Sequence, residues 1–150
     1  MTETNSKSLF VLEYPDGHFE RMFICFHVCL VGFKSGCRPL LFMDGIHIFN
    51  RYSGVMLSTV ALDTENGMFP LAFAIVSAES DTNWVWFCEK LHDIIYNNED
   101  PYYHQLCFIS DRAKGLTKGV RTSFSDAVHD YCLRYLKENF KKKLDGLSAT

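Results

Sequence analysis

Apolar positions fall in blocks separated by short polar connectors, and the spacing within each block predicts its element. Residues 1–8 are polar and without pattern, and Tyr14-Pro-Asp-Gly17 carries turn chemistry, so order is expected from Phe19 onward. Between Phe19 and Phe33, the positions Phe19, Phe23, Phe26 and Leu30 share one helical face, which predicts a helix. Three strand-like runs follow, Pro39 to Ile48, Val55 to Leu62 and Met68 to Ala78, joined by the turn-rich segments Asn50 to Gly54 and Asp63 to Gly67. Connectors this short predict an antiparallel meander, and the nearly unbroken apolar character of the first run suits a strand buried on both faces. Pro70 has no N–H to give, which puts the third strand at the sheet edge, at least there.

Ser80-Asp-Thr-Asn offers N-cap residues, and Trp84, Phe87, Cys88, Leu91, Ile94 and Ile95 then repeat at helical spacing. Asn97 to Pro101 breaks that helix. Gln105 to Ser110 reads as a short buried strand ending at Asp111, Ala113 to Thr122 as a helix, Ala127 to Leu133 as extended chain, and Tyr135 to Leu144 as a basic helix. The predicted organisation is a loosely ordered stretch at 1–18, one α/β domain at 19–145 and a tail at 146–150.

Composition supports one core: the chain has 150 residues, 47% of them hydrophobic. Net charge is −3, so no large positive field marks a nucleic-acid binder. The positive charge is uneven, however. Arg112, Lys114, Lys118 and Arg121 fall together, as do Arg134, Lys137 and Lys141 to Lys143. Six cysteines without a CxxC pair, and no signal-peptide pattern, point to reduced intracellular thiols. Cys25 and Cys29, one helical turn apart in a Phe-rich segment, read as core thiols. The longest apolar run, Met22 to Phe33, is too short to cross a membrane.

Two aspartates stand in similar settings, Asp44 in Leu40-Leu-Phe-Met-Asp-Gly45 and Asp111 in Cys107-Phe-Ile-Ser-Asp-Arg112. Each ends, or nearly ends, an apolar strand, where an unpaired charge is expensive to desolvate. If the two strands are neighbours, the carboxylates converge and can share Mg²⁺ or Mn²⁺, hard cations suited to oxygen ligands. The plainer alternative has Asp44 opening a turn with Gly45 and Asp111 capping the next helix.

Read in order, Gly36-Cys-Arg-Pro-Leu40, Met43-Asp-Gly45, Tyr52-Ser-Gly54, Pro70-Leu-Ala-Phe-Ala74, Glu79 with Trp84 and Phe87, Ser110-Asp-Arg-Ala-Lys-Gly115, and His129-Asp-Tyr-Cys132 with Asn139-Phe140 resemble the signatures of plant Mutator-like transposases. The resemblance covers about five-sixths of the chain. It implies a ribonuclease-H-like, DDE-type core: three antiparallel strands, then alternating helices and parallel strands. It further implies a nuclear enzyme that cleaves transposon-end DNA and joins it to target DNA, with two metal ions held by Asp44 and Asp111 and homo-oligomerisation of the complete transposase. The third acid, a glutamate, is expected on a helix beyond this chain, so the chain alone is expected to be incomplete and inactive. Glu79 matches a family position but precedes its helix, and a helix-dipole role suits it equally.

The family pattern His-x-x-Cys-x-x-His is also only partly kept, since Tyr135 stands where the last His belongs. Residues three apart on a strand point to opposite faces, which argues against His129 and Cys132 sharing a metal. The domain also resembles the non-catalytic far-red-response transcription regulators, and an inactive element remnant is a third possibility. Trp84 is expected in the core. Trp86, on the other side of the helix, is the candidate for stacking on bases, and Arg112, Lys114, Lys118 and Arg121 are candidates for neutralising phosphates.

Overall fold

A computed structural model describes residues 7–49, 51, 53–111, 113–131 and 144–146. Its described strands form one sheet of seven, and the chain begins it earlier than expected. β1 (Leu9–Glu13) and β2 (Arg21–Cys25) pair antiparallel, with Leu9 opposite Cys25 and Glu13 opposite Arg21. The Pro-Asp-Gly sequence is the turn of this hairpin, with Asp16 and Gly17 both at positive φ. Helix α1 runs only from His27 to Gly36. The predicted helix from Phe19 is corrected by pairing on both sides, because β2 lies between β1 and the later strand β5. Phe23 and Cys25 then alternate into the core while Met22 and Ile24 turn to the opposite face.

The meander follows as read: β3 (Cys37–Ile48), β4 (Gly54–Asp63) and β5 (Met68–Val76), all antiparallel. In the second turn Asp63 Oδ1 accepts from the main-chain N–H of Glu65 and of Gly67, at 2.9 and 2.7 Å, and Asn66 takes the left-handed conformation the turn requires. β5 as a whole is interior, contrary to the expectation from Pro70. Its pairing with β2 covers only Phe73 to Val76, so Pro70 sits where no N–H is needed on that side, beside a register shift against β4.

α2 (Asp81–Ile95) starts at Ser80, whose hydroxyl accepts from the main-chain N–H of Asn83. Trp84, Phe87, Cys88, Leu91, Ile94 and Ile95 are all buried. β6 (Cys107–Ser110) lies parallel to β3, α3 (Lys114–Ser123) returns the chain, and β7 (Val128–Tyr131) lies parallel to β6. The strand order is β1-β2-β5-β4-β3-β6-β7, a mixed sheet in an α/β chain. Ring contacts of Phe23 with Phe87 and of Phe108 with Phe124 join sheet to helices on one face. The predicted basic helix, apart from Leu144, lies outside the described residues.

Candidate metal and nucleic-acid site

The parallel ladder between β3 and β6 sets Leu40 beside Cys107, Leu41 beside Phe108 and Phe42 beside Ile109. The paired ladder ends there, and the same register continued by two residues, one step past the end of β6, sets Asp44 beside Asp111. Side-by-side residues on neighbouring strands point to one face, with backbones about 4.8 Å apart. Burial identifies that face. Leu41, Met43 and Phe108 are buried on the helix side, whereas Phe42, Asp44, Ile109 and Asp111 alternate with them and are half-buried. The two carboxylates therefore share the face opposite α2 and α3, at the end where β6 gives way to α3.

Local hydrogen bonds hold each one. Asp44 Oδ1 accepts from the N–H of Gly45 at 2.9 Å, and Ser58, its cross-strand partner, directs its hydroxyl toward the Asp44 carbonyl. Asp111 Oδ1 accepts from the N–H of Ala113 at 3.0 Å, just ahead of α3. The plainer alternative is corrected: Asp44 and Gly45 lie within β3, paired with Ser58 and Leu57 rather than opening a turn, and the N-cap of α3 is Ala113 with no side-chain cap, so Asp111 makes a local bond ahead of the helix without capping it. These local bonds leave acceptor positions free for a cation, since a carboxylate has about four. A donor set of two half-buried carboxylates fits a hard divalent cation, which completes its shell with water and substrate phosphates. Among the described residues, no group of three or more His, Cys, Asp or Glu side chains is placed to hold a metal.

Glu79 lies on the other side. A Cβ on Gly45 would meet Glu79 Oε1 at 3.2 Å, and consecutive Cβ atoms on a strand point to opposite faces, so Glu79 and Asp44 are separated by the sheet. Glu79 Oε1 accepts from the Trp84 indole N–H at 3.1 Å, and Oε2 lies 3.8 Å from His47 Nε2. An acid that sequence analysis did not single out, Asp130, stands opposite Ile109 on the carboxylate face and is exposed. Its only sequence signal was its place next to His129.

Lys114, Lys118 and Arg121 are exposed along one side of α3, with Thr117, Thr122 and Tyr131 beside them. Arg112 lies outside the described residues, as do Cys132 and Tyr135. Trp86 is not the exposed ring expected for base stacking. It is 5% exposed, its indole N–H donates to Glu13 Oε1 at 3.0 Å, and the Arg21 guanidinium lies 4.5 Å from its ring centroid. Arg21 in turn pairs with Glu13 at 2.6 Å. The β1–β2 hairpin closes over this side of α2, which helical periodicity alone leaves open. Trp84 is in the core, as read, at 1% exposed.

A family model described as the MULE transposase domain matches residues 40–139, two-thirds of the chain and a span that includes both aspartates. No curated protein matches the chain.

Proposed function

The chain belongs to the MULE transposase domain family, and from that premise we propose that it is the catalytic core of a DDE-type transposase with a ribonuclease-H-like fold. The observation that carries this reading is the parallel pairing of β3 and β6, whose register, continued past Phe42 and Ile109, sets Asp44 within β3 beside Asp111 just after β6, on one face. The fold assignment is supported by the order β5-β4-β3-β6-β7, an antiparallel meander extended from its first strand by two parallel strands, with β1 and β2 as an addition beyond it. Asp44 and Asp111 would hold Mg²⁺ or Mn²⁺. When bound, such ions activate the attacking oxygen and stabilise the leaving one during in-line phosphoryl transfer. The row Lys114, Lys118 and Arg121, together with Arg112, would neutralise phosphates of transposon-end and target DNA in the nucleus.

A protein that includes any downstream sequence of its gene is expected to cut transposon-end DNA in the presence of Mg²⁺, and Asp44→Asn is expected to lower the rate at least about 100-fold. Undiminished cleavage by that variant ends the catalytic reading. Tyr135, in place of the family histidine, favours a second reading as a non-catalytic DNA-associated regulator. Reporter regulation that survives loss of both aspartates would decide for it.

A further inference from the structure

His129 belongs to a sequence pattern that the two aspartates do not explain, and its structural surroundings differ from those of a ligand. It pairs with Phe108 across β6–β7, so it lies on the helix side of the sheet, opposite the carboxylate face. Its Nε2 is 2.7 Å from the hydroxyl of Ser110. Ser110 is 2% exposed, and the same hydroxyl is 2.8 Å from the main-chain carbonyl of Asp111. A hydroxyl has one proton and a carbonyl can only accept, so Ser110 donates to Asp111 and receives the Nε2–H of His129. A chain of donors thus runs from His129 through Ser110 to the peptide of Asp111.

That carbonyl lies just past the end of the sheet pairing. The β6–β7 ladder ends at Ser110, opposite Tyr131, and α3 does not begin until Lys114. Between them the direction of the Asp111 side chain depends on its own carboxylate bond to Ala113 and on how its peptide plane is held. We infer that His129 is a positioning residue: through the buried Ser110 hydroxyl it fixes the Asp111 main chain, and so aims the Asp111 carboxylate at a cation shared with Asp44. The inference rests on the proposed metal role of the two aspartates. It gives His129 a function without making it a ligand, and that function does not require a cysteine or histidine at the later pattern positions.

Mn²⁺ binding to the chain, followed by water-proton relaxation, tests it without any need for activity. Asp44→Asn is expected to abolish the site. His129→Ala and Ser110→Ala are each expected to weaken Mn²⁺ about tenfold, the scale seen when a group supporting a metal ligand is lost. Because both act through one chain of donors, the double variant is expected to be no weaker than either single one. His129→Gln, which keeps an N–H donor, is expected to recover much of the loss. Circular dichroism and urea unfolding establish that each variant is folded, and Ser110→Ala and His129→Gln keep the test open if His129→Ala is not. Mn²⁺ affinity within twofold of the parent in the folded His129 and Ser110 variants, with Asp44→Asn still inactive in binding, overturns the inference. A parent chain with no Asp44-dependent Mn²⁺ binding overturns the metal reading itself, and the inference with it.

Discussion

Burial sets what the individual thiols can do. Cys25 is packed in the core with its Sγ 3.4 Å from the Leu71 carbonyl, and burial, with the neighbouring Cys29 adding to it against Lys34, pushes its pKa up to about 12. Cys88, on the core side of α2, is pushed up to about 12 by burial and then by Glu89. Cys37 and Cys107 are raised too, by burial first and by Asp63 and Asp130 second. Since the thiolate is the reactive species, a pKa near 12 leaves about one molecule in ten thousand reactive at pH 8. Iodoacetamide at that pH is therefore expected to reach Cys25 and Cys88 only after unfolding, as read by mass spectrometry of labelled peptides. Rapid labelling of native Cys88 would contradict its placement. The Phe-rich setting of Cys25 and Cys29 suggested core thiols, which holds for Cys25, whereas Cys29 is only half-buried and outside the core. Their supposed helical-turn relation was mistaken, because one ends β2 and the other lies in α1.

At the level of elements, α2 and α3 pack with their backbones close together. Gly115 and Gly119 stand one turn apart on α3, and a Cβ on Gly119 would lie 2.8 Å from the Trp84 carbonyl oxygen and 2.9 Å from Cys88 Sγ. In an exposed helix interior, alanine would be favoured over glycine by about 0.5–1 kcal/mol. Here the contact is with backbone and a buried sulfur, neither of which can swing away. Overpacking of this kind costs about 1–3 kcal/mol, so Gly119→Ala is expected to destabilise the chain by roughly 1–2 kcal/mol net in urea unfolding. An unchanged or increased stability would mean that the helices are further apart than described. Such crossings are not legible in sequence, whereas α2 itself was, because its cap at Ser80 and its apolar period are both local. β2 shows the limit of local pattern. Met22 to Cys25 satisfies helical and strand templates alike, and only pairing with distant β1 and β5 decides between them.

For the molecule as a whole, the question is where the folding unit begins. The match to the family spans 40–139, and periodicity suggested a domain from Phe19, yet the sheet extends to Leu9. Adjacency of β3 and β6, which brings the two aspartates together, was available only through the resemblance, since no local period specifies which strands meet. The N-terminal hairpin was missed for a related reason: its contacts are with α2, more than sixty residues later. Glu13 holds the Trp86 indole N–H and the Arg21 guanidinium, and Arg21 reaches Asn83 at 3.3 Å. Leu9 and Val11 pack against the core. A chain of residues 19–150 keeps β2 but loses β1, leaving the β2 edge unpaired and Trp86 without its polar partner. Two partly buried aliphatic side chains account for about 2–4 kcal/mol, and an unpartnered indole N–H adds about 1 kcal/mol more. The shortened chain is expected to unfold at markedly lower urea than the full one and to self-associate through the new edge, as seen by sedimentation. Equal stability of the two chains would mean that the hairpin is merely laid against a domain complete without it. Loss of stability together with self-association would make β1 the first strand of the folding unit.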